Sequence, residues 1–435
     1  MLTWLAQNAS TELEYNLPHF IGVYGRWDDV LALFGTPLED AGLNLWANQL
    51  KDDLVLLQET EKGGLSLVAK WIPSENKAAD KAHGVCKKLI KKLGLRNRAE
   101  LRKKYLSPLR KRLDLLERLM CAKDWDAIPF GKVPSVAMKV HGRNNKAFER
   151  NAGDRFDIYK QSLAKGRAKV NAKDLFPHQI VDQYLNYRTR LDELVEAQWR
   201  VMLGKGADLG DLSSVLVMAD VSGSMSGLPM CLSIALGILV SQLTSDAWHG
   251  LVMTFETNPR FHTVMGDTLY EQVQSLRDAP WGGSTDFQAA LELVLETALR
   301  HNLKQSAMPK RLIVISDMQF NVADPEFETN FAVLQRKFET AGYEVPHLVF
   351  WNVDGATSDF PTTAFMSNVS LISGYSAEVL KSVLHPVDIT PFTTMMNAIS
   401  DTRYDLITLP DPIESGDCKG CQGTMKGMSP EAALQ

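Results

Sequence analysis

A chain of 435 residues exceeds what one hydrophobic core fills, because single cores stop growing at roughly 250–300 residues, so two domains are expected. Hydrophobic residues at 45% and charged residues at 23% point away from the disordered and membrane classes, and no uninterrupted apolar run reaches the roughly 20 residues that crossing a bilayer needs. The formal net charge of −5 averages over a basic block from Lys81 to Arg112 in which Glu100 is the lone acid, so the remainder is acidic on balance.

The five cysteines, Cys86, Cys121, Cys231, Cys418 and Cys421, are few, odd in number and mostly set in apolar helical patterns, which argues for reduced thiols. The first residues lack a basic start and a sustained apolar stretch, so they do not read as a secretory signal. The cytoplasm is the expected location.

Up to about residue 205 the pattern is helical, with apolar residues three and four apart, as in Leu43, Trp46, Ala47 and Leu50. Turn signals such as Thr36-Pro37, Ile72-Pro73-Ser74 and Pro129-Phe130-Gly131 divide it into six to eight expected helices. No fixed repeat period is found, so a regular solenoid is not indicated, while irregular, HEAT-like helical repeats stay open. A helix spanning Leu101 to Leu116 would bury Leu106, Leu109, Leu113 and Leu116 and turn Arg102, Lys103, Lys104, Arg110, Lys111 and Arg112 largely outward. Such a face could contact nucleic-acid phosphates without reading sequence. The plainer reading is a solvated face balanced by acids such as Asp52, Asp53, Glu59 and Glu61. Tyr105 alone interleaves, so base stacking has little support.

The glycine-rich Gly204–Gly210 stretch suits a linker. The expected organisation is a helical domain over 1–205, a second domain over 211–410 and a flexible tail over 411–435. In the second domain, apolar runs at 214–219, 250–255, 312–315, 348–351 and 369–372 read as buried parallel strands. They alternate with helical patterns near 229–243, 285–301, 325–341, 376–384 and 391–400. That alternation predicts an open, doubly wound, mostly parallel α/β sheet whose ligands sit beyond the carboxyl ends of the strands.

The first strand runs directly into Asp220-Val221-Ser222-Gly223-Ser224, one carboxylate and two hydroxyls on a tight loop. Thr285, in a glycine-rich loop opening a helix, and Asp317, ending a later strand, are expected at the same edge. These are hard oxygen donors, suited to Mg²⁺ or another divalent cation such as Mn²⁺. Asp220, Ser222, Ser224, Thr285 and Asp317 in this order resemble the metal-ion-dependent adhesion site of the von Willebrand factor A (vWA) family. The resemblance implies direct ligation by Ser222, Ser224 and Thr285, water-mediated roles for the two aspartates, and a partner's Asp or Glu carboxylate completing the sphere. Asp286 reads as a helix cap rather than a ligand.

Trp27-Asp28-Asp29, Trp71-Ile72-Pro73, Val133-Pro134-Ser135 and Phe176-Pro177-His178, with Ser316-Asp317-Met318-Gln319-Phe320, resemble a domain-of-unknown-function family that places a helical region before a vWA domain. The same order is similar, more distantly, to the TROVE proteins of the Ro autoantigen family, which implies small RNA as a partner of the helical part. Some intracellular vWA proteins work beside MoxR-type AAA+ ATPases, which makes an adaptor role the alternative. A metal-dependent phosphotransfer enzyme is the weaker third reading, since no base or nucleophile is identifiable beside either aspartate. There is neither a P-loop nor a nucleophile elbow, and Cys418-Lys-Gly-Cys421 lacks the second pair that a zinc site needs. The chain therefore reads as a non-enzymatic binding protein.

Overall fold

The computed structural model describes residues 1–59, 64–186, 190–204, 212, 214–244, 247–254, 258–279, 287–317, 327–354, 368–374 and 391–410. It combines a helical N-terminal region with a C-terminal six-stranded sheet flanked by helices. Its packing forms two compact units, Met1–Arg118 with Thr402–Gln435, and Leu119–Asp401.

In the first unit the helix Glu39–Glu59 carries the core face read from the sequence, with Leu43, Trp46, Ala47 and Leu50 buried. The Trp46 indole N–H donates to Trp27 O at 2.8 Å, so the largest buried ring also satisfies its one donor. Buried Asp53 accepts from Ser66 N at 3.1 Å, Ser66 Oγ at 2.7 Å and Gln49 Nε2 at 2.9 Å. That carboxylate is therefore structural rather than a counter-charge for the basic block. The segment after 401 returns to this unit: Thr408 N donates to Asn16 Oδ1 at 3.0 Å, and the rings of Tyr24 and Tyr404 lie 5.4 Å apart.

The expected helix over Leu101–Leu116 passes through a π-helical turn and stops at Arg112. Arg98–Leu101, a π-helical turn Arg102–Leu106 and Ser107–Arg112 follow one another, and Asp114 then takes φ 46°. A left-handed Asp ends the run because its short polar side chain tolerates that region better than most. The helices of this half are altogether shorter and more numerous than periodicity alone suggests.

In the second unit the strands are β1 Val215–Ala219, β2 Leu251–Thr254, β3 Phe261–Thr263, β4 Arg311–Ser316, β5 His347–Asn352 and β6 Val369–Ser373, in the spatial order β3-β2-β1-β4-β5-β6. All pairings are parallel except β2 with β3. The five strands expected from apolar runs are present. The three-residue β3 and the helix Leu269–Arg277 were not expected, since β3 is short, carries His262 and is only half-buried or exposed along its length.

Alternation along the strands feeds two cores, because successive side chains point to opposite faces. Val215, Val217, Ala219, Ile313, Ile315, Val349 and Trp351 lie in one. Leu216, Met218, Leu312, Val314, Leu348 and Phe350 lie in the other, covered by Phe287–Arg300 and Phe327–Thr340. The helix Leu228–Leu243 is buried at every position from Cys231 to Ser241. A helix that is apolar all round needs cover on the side away from the sheet as well. Ile180, Val181, Tyr184, Val195, Trp199 and Met202, from the helices Pro177–Leu185 and Glu193–Gly204, complete the same core. By packing, the helices from Leu119 onward group with the sheet. Glu196 fastens the arrangement by accepting from Leu269 N at 2.8 Å and Tyr270 N at 3.1 Å, the start of the helix Leu269–Arg277.

Among the described residues no helix is long and apolar enough to cross a membrane, and Cys86, Cys121 and Cys231 are free thiols. The 376–384 helix, Asp286 and the Cys418/Cys421 pair lie outside the described residues.

Candidate metal centre

The central pair of the sheet, β1 and β4, run parallel with Ala219 opposite Ile315. Chain connections from these strands leave in opposite directions across the sheet, the switch point where doubly wound folds open a crevice. Asp220 and Asp317 are the first residues beyond the two strands, and they are 2% and 1% exposed. Asp220 N donates to Ile315 O at 2.9 Å, extending the ladder by one step and fixing where its side chain starts.

Both Asp220 oxygens are held. Oδ1 accepts from Ser222 N at 2.8 Å, closing a short Asx-type turn, and Oδ2 accepts from Ser316 Oγ at 2.8 Å. The turn continues as a single 3₁₀ turn, Gly223–Met225, anchored by the fully buried Met225. Ser222 Oγ and Ser224 Oγ are 3.0 Å apart at the half-exposed lip of the loop. The result is two carboxylates at the floor and two hydroxyls at the rim. Burial raises the Asp220 pKa above the usual carboxylate range, the three hydrogen bonds from Ser222 and Ser316 oppose the rise, and the Asp317 charge adds to it.

A buried carboxylate with a second carboxylate beside it is relieved by a cation. The donor chemistry, hard oxygens of small side chains on a loop, fits a small divalent ion. Asp220, Ser222, Ser224 and Asp317 are thus brought to one edge, while Thr285 lies outside the described residues. Among the described residues no three His, Cys, Asp or Glu side chains converge as metal ligands. Ser316 was not singled out from the sequence. The signal was its place one residue before Asp317, which parallel register sets beside Asp220.

The basic block divides by location. Arg102, Lys103, Lys104 and Lys111 are exposed, and Arg112 is half-buried. Arg110 turns inward: Nε donates to Ala69 O at 2.7 Å, Nη2 to Ile72 O at 2.9 Å and Nη1 to Ser74 Oγ at 3.2 Å. It is a structural arginine, not part of an outward face. The acids that pair with the block are Glu39 with Lys88 at 2.5 Å, Asp40 with Lys92 at 2.6 Å and Glu75 with Arg98 at 3.2 Å. Among the described residues these stand as ion-pair partners where Asp52, Asp53 and Glu59 were expected, while Glu61 lies outside the described residues.

Two family models match the chain, both described as domains of unknown function: DUF2828 over residues 41–212 and DUF7788 over residues 214–403. The Deinococcus radiodurans RO (RSR) protein, known from a crystal structure, is similar at TM-score 0.46 and 16% identity over 88% of this chain and 86% of that one, a likeness too shallow to carry function. "Uncharacterized protein L728" of Acanthamoeba polyphaga mimivirus is 36% identical, the match covering 92% of this chain and 75% of the relative. On that identity and coverage, the chain, whose DUF2828 match precedes its DUF7788 match, belongs to the family of the mimivirus L728 protein.

Proposed function

We propose that the α/β unit is a vWA-type, metal-dependent binding module that holds Mg²⁺ or Mn²⁺ between β1 and β4 and uses it to capture an acidic group of a protein partner. The observation that carries this reading is the pair of buried carboxylates, Asp220 and Asp317, beneath the Ser222 and Ser224 hydroxyls at the switch point of the sheet. Ser222 and Ser224 would ligate directly, with Asp220 and Asp317 supplying the negative charge and Thr285 a further hydroxyl. When bound, the cation supplies a positive charge to which a carboxylate can add. The residues of this chain fix the donors and bury the two carboxylates beneath them. A binding role is preferred because, among the described residues, no His, Cys or Lys is a hydrogen-bond partner of Asp220, Ser222 or Ser224.

Isothermal calorimetry with MgCl₂ and MnCl₂ on the full chain tests the metal. Saturable binding is expected for the native protein and its loss in Asp220→Ala and Ser222→Ala. Unchanged affinity in both variants would remove the assignment.

A second reading, for the helical unit, rests on the four exposed cations Arg102, Lys103, Lys104 and Lys111, which suit the phosphates of single-stranded RNA. If all four contact phosphate, the affinity should fall with salt with a log–log slope near about −3, from roughly −0.7 per contact. A flat salt response would exclude it.

A further inference from the structure

The helix that starts at Ser135 widens to π pitch over Lys139–Asn144, with Asn145 N donating to Val140 O at 2.9 Å. It presents two cations one turn apart, Lys139 and Arg143. Arg143 is 7% exposed, and among the described residues nothing accepts a hydrogen bond from its Nε, Nη1 or Nη2. Lys139 is half-buried, and burial, with the Arg143 charge adding to it, lowers its pKa. Leaving a guanidinium unpaired inside a protein costs several kcal/mol, and like charges four residues apart on a helix add to that.

The neighbouring acids do not resolve it. Asp192 and Asp182 attract Arg143, but Asp192 Oδ1 is engaged by Leu194 N at 2.8 Å and Val195 N at 3.3 Å. Asp182 Oδ1 is engaged by Asn186 Nδ2 at 2.7 Å and Cys231 Sγ at 3.8 Å. Fully buried Gln198 also lacks a partner for either amide atom. It lies one turn beyond Leu194, whose Cδ2 is 3.3 Å from where a Cβ on Gly142 would sit. All three guanidinium nitrogens of Arg143 are therefore buried donors without an acceptor among the described residues, which calls for a group that accepts. A guanidinium fork with five N–H groups, joined by an ammonium, matches the oxygens of a tetrahedral dianion.

We propose that Arg143 and Lys139 form a buried site for a small oxyanion of the phosphate class, enclosed by the helices Ser135–Asn144, Pro177–Leu185 and Glu193–Gly204. The site is independent of the metal centre. Its closure favours a free ion or a terminal phosphoryl group over a polymer backbone.

The test is thermal unfolding of the full chain, exchanged into phosphate- and sulfate-free buffer, with added inorganic phosphate, glycerol 3-phosphate or chloride at matched ionic strength. A saturable rise in midpoint with either phosphate compound, absent with chloride, supports the site, and the compound acting at lower concentration identifies the source. Lys139→Met should weaken the response about tenfold, the worth of one charge-assisted hydrogen bond. Arg143→Met should abolish it while melting no lower than the native chain in phosphate-free buffer, because an apolar group replaces an unpaired charge. Equal midpoints in phosphate and chloride would overturn the proposal. So would a large loss of stability in Arg143→Met without phosphate, since the guanidinium would then have a structural partner.

Discussion

Arg110 separates architecture from ligand binding in the basic block. Its three hydrogen bonds reach the short helix Val68–Trp71 and the turn after it, and two of the acceptors, Ala69 O and Ile72 O, belong to residues 0% and 1% exposed. Truncation to Ala strands both carbonyls. Each stranded buried acceptor costs about 1–3 kcal/mol, so Arg110→Ala should destabilise the first unit by about 3–5 kcal/mol. Arg110→Lys should recover only part of this, roughly one acceptor's worth, because an ammonium cannot reproduce the planar fork. Lys111→Ala, at an exposed neighbour, should stay within about 0.5 kcal/mol. With two compact units a single melting temperature is ambiguous, so the measurement is native-state hydrogen exchange on peptides covering Val68–Trp71 and Glu39–Glu59. A cost below about 1 kcal/mol for Arg110→Ala, or an equal cost for Lys111→Ala, would refute the reasoning. The consequence for function is practical: loss of RNA affinity in an Arg110 variant would report unfolding, whereas Lys103→Glu with Lys104→Glu would report contact.

Three further outcomes are expected. Burial, reinforced by the charge of Lys139, depresses the His178 pKa from its ordinary 6.5 to about 4. The folded state then binds fewer protons than the unfolded one in that window, so this stabilisation is complete above pH 6.5 and is lost as pH falls towards 4. Up to roughly 3 kcal/mol is involved, and His178→Gln should flatten the urea midpoint against pH over that range. Burial pushes the thiols of Cys86 and Cys231 up to about 12, while Cys121 is exposed. Iodoacetamide with peptide mapping should therefore label Cys121 well before either of them, and equal rates for the three would contradict the packing. A Cβ at Gly142 would meet Met138 Sδ at 3.1 Å, a Phe156 ring carbon at 3.1 Å and Leu194 Cδ2 at 3.3 Å. Gly142→Ala should cost about 1–3 kcal/mol by overpacking, read as a lower denaturation midpoint of the second unit.

Much of the α/β unit was legible in the sequence because its determinants are local. Runs such as Val215–Ala219 and the Leu-Ile-Val-Ile of 312–315 are apolar at every step, which marks strands covered on both faces. An Asp placed directly after such a run is carried to the carboxyl edge of the sheet, so Asp220 and Asp317 could be assigned together before any pairing was known. Strand order could not. Only the register of β1 against β4 sets Ser316 Oγ on Asp220 Oδ2 and makes that serine a holder of the site.

The basic block shows the same division. Composition disclosed its charge and periodicity its leucines, but Arg110 turns inward because unsatisfied carbonyls at Ala69 and Ile72, some forty residues earlier, lie within its reach. Which helices cover the sheet was likewise decided by packing. Gly204–Gly210 reads locally as a linker between domains, yet the helix Leu228–Leu243 is apolar on all sides, and a sheet can cover only one of them. The second side is covered by the helices Pro177–Leu185 and Glu193–Gly204, so the burial of one helix draws residues from before the glycines into the core of the domain after them.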